Sequence, residues 1–421
     1  VKKLLLLGGG HAHVHLLREM GRERFAAAEV TLVTPSPQLF YTGMVPGIVA
    51  GHYRAEQGAI DLRALAAAAG VTFIESSASG LDAPRRQVRL ADGRSIGYDV
   101  LSVDTGAAMD RSRIVGAWLH GIFVRPLDRF FGEIDELFDR AAQRALDVVV
   151  IGGGAGGVEL ALALQHRLAS LAGRGAEPGR VALVLGSEQV LPGYPAAVGR
   201  TAEAALNRAR ITLFRDNCVE IREGLAVLAS GARLACDAPI IATGAEAPTW
   251  LAGSGLALDG QGFIVTGPTL QSGSHPEVFA VGDVASRIDA PHPRSGVYAV
   301  RAGPPLLVNL RAYCSSAAAT PAGSGGHAAA GAVPLKRYMP QTKSLSLISC
   351  GRRRAIASRG GWCAEGRWVW WWKNHIDRAF VARHAVRDAV RDAARDAAPA
   401  PTSAELAADE AADVIPSAGT R

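Results

Sequence analysis

Two glycine-rich turns carry the most specific chemistry in this sequence. Gly8-Gly9-Gly10 follows the apolar run Leu4-Leu5-Leu6-Leu7 and precedes a helical pattern from Ala12 to Met20. Gly152-Gly153-Gly154-Ala155-Gly156-Gly157 follows Val148-Val149-Val150-Ile151 and precedes a helical pattern from Val158 to Leu171. A diphosphate cradle needs glycine for three reasons: a tight turn, close approach of backbone N–H groups to the phosphates, and close packing of helix on strand. The helix N-terminus adds free N–H groups and a favourable dipole. Gly152, Gly154 and Gly157 meet all three needs. The first copy has Gly8 and Gly10, but His13 stands third, and its side chain must point away or widen the helix–sheet contact. One such turn also serves as an ordinary connection; the repeat is what makes diphosphate capture the preferred reading.

The elements around these turns repeat as well. Val30 to Val33 and Val181 to Leu185 read as the second strands of two βαβ units. Tyr98 to Val103 ends at Asp104-Thr105-Gly106-Ala107, and Ala238 to Ile241 ends at Ala242-Thr243-Gly244-Ala245. Val278 to Val281 then ends at Gly282-Asp283, before a helical pattern from Tyr298 to Arg311. The expected fold is α/β, with two Rossmann-like modules and a small C-terminal α+β element. An acidic residue normally closes the second strand and holds a ribose. It is missing in both copies: Val33-Thr34-Pro35-Ser36 in the first, Leu185-Gly186-Ser187-Glu188 in the second. Thr34 or Ser36 can bond a ribose hydroxyl instead, and NADH against NADPH stays open.

Composition excludes several classes. The 421 residues suit two or three domains, and the net charge of +6 forms no basic stripe with interleaved aromatics, so no nucleic-acid partner is expected. The five cysteines, Cys218, Cys236, Cys314, Cys350 and Cys363, make no C-x-x-C pair, which argues for a reducing compartment and against a zinc site. His11, His13 and His15 do not share a helix face, and no metal is expected. The opening Val1 to Leu7 is too short for a signal peptide, and no run reaches the roughly 18 apolar residues of a membrane span. The expectation is a cytoplasmic protein, soluble or peripheral on the cytoplasmic membrane face. Trp368, Trp370, Trp371 and Trp372 offer a peripheral anchor, but the preferred reading is a strand with alternate tryptophans packed inward, running into a helix at Lys373. Residues 315–333 read as a linker, 334–384 as a folded cap and 385–421 as a disordered tail.

The order Gly8-x-Gly10, Thr105-Gly106, Gly152 to Gly157 with Glu159, Ala242-Thr243-Gly244 and Val281-Gly282-Asp283 resembles the pyridine nucleotide-disulfide oxidoreductase superfamily over about residues 1–312. Within it the chain looks most like type II NADH:quinone oxidoreductases. It looks closer still to the flavoprotein found fused ahead of selenophosphate synthetase, through Thr42-Gly43-Met44-Val45-Pro46-Gly47, Gly51-His52-Tyr53, Gly303-Pro304-Pro305 and the segment from Trp368 to Arg378. The resemblance implies FAD in the first module and NAD(P)H in the second. Gly8, Gly10 and His11 would face the FAD diphosphate or the flavin. Thr34, Thr105, Gly106, Gly282 and Asp283 would line the rest of that cofactor, and Gly43 would sit in a loop beside the isoalloxazine. Gly152, Gly154, Gly157 and Gly244 would hold the nicotinamide dinucleotide, with Glu159 near its ring. The FAD module would be residues 1–112 and 246–314, split by a nicotinamide module of 113–245.

Missing residues narrow the implied reaction. No cysteine precedes Cys218, so the redox-active pair of the disulfide reductases is absent. Cys314 and Cys350 stay as remote candidates. What remains is NAD(P)H oxidation through FAD to a quinone or other small acceptor, with no catalytic acid–base triad. Tyr298 and Arg301 stand where the type II enzymes place residues near the quinone, with Arg301 replacing an amide. The alternatives are a selenium- or sulfur-compound reductase, a sulfide:quinone reductase-like enzyme, and a non-catalytic redox sensor. Oligomeric state is not readable.

Overall fold

The computed structural model describes residues 1–173, 177–316 and 334–385. The linker expected at 315–333, apart from Ser315 and Ser316, and the tail expected at 385–421, apart from Ala385, lie outside the described residues. Ser315 is the last residue of a helix.

The first leucine run forms β1 (Lys2–Leu7), followed by α1 (His11–Arg22) and β2 (Ala28–Thr34). β3 (Thr72–Glu75) and β4 (Val100–Val103) follow. The second module repeats the plan with β5 (Ile122–Phe123), β6 (Asp147–Ile151), α2 (Ala155–Leu171), β7 (Arg180–Val184), β8 (Thr212–Phe214) and β9 (Ala238–Ile241). β10 (Val278–Ala280) then returns to the first sheet. The sheet orders are β10-β4-β1-β2-β3 and β5-β9-β6-β7-β8, and every pairing in both is parallel. The glycine turns therefore leave equivalent strands, β1 and β6, at the centre of equivalent sheets. α2 begins at Ala155, so Gly156 and Gly157 already lie in its first turn.

Burial explains why these strands read as continuous apolar runs. Leu4 and Leu6 face one side with Leu16, Leu17 and Leu306, while Leu5 and Leu7 face the other with Leu101, Val103 and Ile264. A parallel sheet covered on both faces needs apolar residues at every position. Each such leucine stabilises the fold by about 1.5–3 kcal/mol relative to exposure. Val148 and Val150 against Val149 and Ile151 divide between two cores in the same way.

α3 (Gly296–Ser315) packs along α1, where a Cβ on Gly303 would come within 3.0 Å of His15. The cap is an antiparallel sheet, β11 (Ser346–Ser349), β12 (Ala355–Arg359) and β13 (Trp362–Gly366), followed by α4 (Arg367–Arg383). This corrects the expectation of a strand through the tryptophan run, because the helix already starts at Arg367. Helical spacing turns Trp370, Lys373 and Asp377 inward and leaves Trp368 and Trp371 outside. Trp370 stacks on Tyr53 and meets His52 edge-on. Among the described residues no helix is long and apolar enough to cross a membrane.

Candidate functional site

A cavity of about 570 Å³ opens at the carboxyl ends of the first sheet's strands. Ligands in parallel α/β folds bind at that end. Gly8, Gly10, His11, Thr34, Thr105, Gly106 and Asp283 all line it. Arg125, Pro126 and Leu127, just after β5, form part of its wall, so residues from the second module's chain segment face the first cradle. Ser76 to Ala78 lie beyond β3 and Pro248 to Trp250 beyond β9. Gly43 and Gly282 do not line the cavity.

Both cradles obey one geometric rule. Gly8 has φ +94° and Gly152 has φ +131°, a region that favours glycine. A Cβ on Gly8 would lie 2.5 Å from the Asp104 carbonyl oxygen; one on Gly152 would lie 2.3 Å from that of Ala242. Each turn is therefore pressed against the residue that follows β4 or β9. Around Gly154 and Gly244 no atom would approach an added Cβ within 4 Å, whereas one on Gly157 would strike the Gly152 carbonyl at 1.8 Å. Gly157 thus serves packing, and Gly154 leaves open space for a ligand.

The first cradle departs at two residues. His13 neither points away nor sits idle. It fills the helix–sheet seam, with Nδ1 2.6 Å from the Gly8 carbonyl and Nε2 2.8 Å from Ser102 Oγ. Burial pushes its pKa down to about 4, so the ring is neutral. Asp104 stands where the second copy has Ala242. Its carboxylate accepts N–H bonds from Ala12 at 2.8 Å and His13 at 3.1 Å, which satisfies two amides at the start of α1. Burial raises the Asp104 carboxyl to about 7, opposed by those two N–H bonds and reinforced by Asp283. The sequence alone puts Asp104 at a strand end and gives it no role; the available signal is a carboxyl in a position that is alanine in the repeat.

Asp104 makes stability depend on pH. Its folded pKa lies above the ordinary carboxylate value of about 3.9. The stabilisation of the neutral form is therefore complete at low pH and lost as pH rises through about 7. We expect Asp104→Asn to flatten the fall in unfolding free energy between about pH 4 and pH 7.5, where the unfolded chain has already released this proton and the folded chain still holds it. Denaturant titrations at a series of pH values check this, and equal slopes in both proteins would exclude it.

Asp283 takes a guanidinium N–H from Arg125 at 3.3 Å, and Arg125 also donates to the Ala107 carbonyl. His11 lies nearby, its ring edge-on to Tyr41 at 5.7 Å. Burial lowers its pKa to about 4, and its Nε2 is buried with no hydrogen-bond partner among the described residues. An unpartnered buried nitrogen at the rim of a dinucleotide-sized cavity is what an absent ligand would satisfy. Gly282, φ +70°, lies behind Asp104, where a Cβ would approach Asp104 Oδ1 at 2.8 Å.

Glu159 is placed on α2, away from this cavity and partly buried. Its Oε1 accepts the Ser349 N–H at 2.7 Å. Burial raises its carboxyl to about 7 against the pull of the Lys373 ammonium. Lys373 in turn donates to the Gly43 carbonyl at 2.5 Å and to Asp377 at 2.6 Å. The loop containing Gly43, the second module's helix and the cap thus meet at one buried charged cluster. Tyr298 stacks on His292 and sits away from the main cavity, and Arg301 is exposed. Cys314 and Cys350 are buried thiols with pKa values pushed up to about 11 and 12, unsuited to nucleophilic attack at neutral pH.

Two parallel-sheet modules, each opening on a glycine cradle, define a two-dinucleotide oxidoreductase fold. Residues 2–303 match the pyridine nucleotide-disulphide oxidoreductase family, and the chain belongs to it. Its cofactors are FAD and NAD(P)H. The chain is 29% identical over 239 residues to an NADH dehydrogenase-like protein of Mycobacterium tuberculosis, covering 53% of this chain and 58% of that protein. It is 23% identical to the type II NADH:quinone oxidoreductase of Haemophilus influenzae, covering 69% of this chain and 75% of the relative. Among solved structures, NDH2 of Plasmodium falciparum in complex with NADH aligns with a TM-score of 0.72 at 12% identity, over 92% of this chain and 98% of the other. The sulfide:quinone oxidoreductase of Aquifex aeolicus aligns at 0.71 and 16% identity, over 92% of both chains. These structural likenesses establish the fold.

Proposed function

We propose that the protein transfers reducing equivalents from NAD(P)H, bound at the second cradle, through FAD, bound at the first, to a quinone or another small acceptor. The observation that carries this reading is the repeated turn geometry, with Gly8 and Gly152 pressed on equivalent carbonyls at the ends of equivalent sheets. Bound FAD supplies the electron chemistry itself. The chain's part is placement and charge. Gly9, Gly10 and His11 line the end of the cavity where the diphosphate would lie, Asp283 and Thr105 would orient the cofactor along it, and Arg125 would offset anionic charge there. Glu159, with a carboxyl poised near neutrality, holds or releases a proton beside the second cradle. The quinone reading is supported by the type II relative, which covers more than two thirds of both chains.

The test is the visible spectrum of the purified protein before and after anaerobic NADH or NADPH, followed by quinone, selenite and sulfide in steady-state assays. Flavin bands that bleach with reduced nucleotide and return with quinone are expected. Bands that never bleach would favour a redox-sensing module, and turnover with selenite or sulfide alone would favour the selenium or sulfur reading. Because the buried Cys350 thiol is not a nucleophile here, Cys350→Ser should retain turnover within about threefold. Loss of turnover with an unchanged flavin spectrum would instead assign that sulfur a chemical role.

A further inference from the structure

The ribose end of the second cradle lacks the group that usually sorts NADH from NADPH. A carboxylate at the end of the second strand accepts the ribose hydroxyls of NADH and repels a 2′-phosphate; a nearby arginine does the opposite. β7 ends at Val184, and the next residue, Leu185, is 4% exposed and packed in the core. Gly186 follows with φ +67° and no side chain. Ser187 presents a neutral hydroxyl, donating to the Gln189 carbonyl at 2.8 Å. Glu188 is exposed and lies further along the loop; its backbone carbonyl takes the Arg215 Nε at 3.0 Å. Arg215, just past β8, therefore reaches this loop. Its outer nitrogen, however, is bonded to Glu203 Oε1 at 2.6 Å.

We propose that the second cradle accepts NADH and NADPH with similar efficiency, because no carboxylate closes β7 and Glu203 engages the arginine that could recruit a 2′-phosphate. This rests on the reading of the second cradle as the nicotinamide dinucleotide site. Glu203 and Arg215 form a partly exposed pair, 35% and 40% accessible, so their contact is weak and its release has a modest effect. Glu203 is thereby a specificity-determining residue rather than a catalytic one.

The test uses the flavin-loaded protein. Calorimetric titration with NAD⁺ and NADP⁺ should give dissociation constants within about fivefold of each other, and kcat/KM for NADH and NADPH should agree to the same extent. Glu203→Gln should raise the NADPH:NADH ratio about fivefold by freeing Arg215, and Ser187→Asp should lower it at least about tenfold. A preference beyond about thirtyfold in the unmodified protein would overturn the proposal, above all an NADH preference abolished by Glu188→Gln. An unchanged ratio in Glu203→Gln would also overturn it. If neither nucleotide binds while the protein remains yellow, the assignment of the second cradle falls, and this inference with it.

Discussion

Replacing Gly10 by alanine should give a folded protein that purifies without flavin. Gly10 has φ −71°, which any residue adopts, so the substitution adds no backbone strain. The collision is steric. The new Cβ would lie 2.3 Å from the Asp104 Cγ and 2.5 Å from its backbone carbonyl oxygen. The carboxyl could rotate aside, but it is held by Ala12 and His13, and the backbone of β4's end is fixed by the sheet. The turn must open, and with it the cavity wall formed by Gly8 to His11. We expect FAD affinity to fall at least about a hundredfold, roughly 2.7 kcal/mol, read from the flavin absorbance retained after gel filtration. Circular dichroism of the apoprotein should remain that of an α/β fold. Gly154→Ala is the companion, because open space surrounds Gly154. That variant should stay yellow and lose the response to reduced nucleotide. Unaltered FAD retention in Gly10→Ala would remove the first cradle from the cofactor site.

The contrast between these two glycines separates what local sequence dictates from what only the folded chain brings together. Strand, turn and helix at Leu4 to Met20 and at Val148 to Leu171 are local patterns, so apolar runs and glycine spacing suffice to recognise them. The same holds for the strand ends at Thr105-Gly106 and Gly282-Asp283. Four aromatic residues within Trp368 to Trp372 satisfy both a period of two and a period of 3.6, so strand and helix were not separable there. Asp104 stands at a legible strand end, but its role is not legible, since its partners Ala12 and His13 lie about ninety residues earlier. Arg125 meets Asp283 across 158 positions, and Lys373 meets Gly43 across 330. Sequence patterns record what neighbours dictate. They are blind to pairs that only the closed tertiary structure brings into contact, and the charged groups of this site are mostly of that kind.

Lys373 is where that blindness has the largest energetic consequence. Its ammonium and the Asp377 carboxylate are 7% and 6% exposed, and the partly buried Glu159 feels the same positive charge. Burial pushes the Asp377 carboxyl above its usual range, and Lys373 pulls it back. Lys373→Met keeps most of the aliphatic bulk but leaves the buried Asp377 and the partly buried Glu159 without this cation and the Gly43 carbonyl without this donor. Breaking a buried pair in this way costs about 3–5 kcal/mol. Lys373→Met/Asp377→Leu removes both charges of the pair and should recover a large part of that loss, which a double-mutant cycle in urea would measure. The pH dependence separates charge from packing. Without the ammonium, Asp377 and Glu159 can relieve their situation only by taking up protons. The destabilisation in Lys373→Met should therefore be greatest above pH 8 and shrink as pH falls towards 5. A loss of the same size across that range would mean that the lysine acts through its hydrogen bond to the Gly43 carbonyl rather than through its charge on the two carboxyl groups.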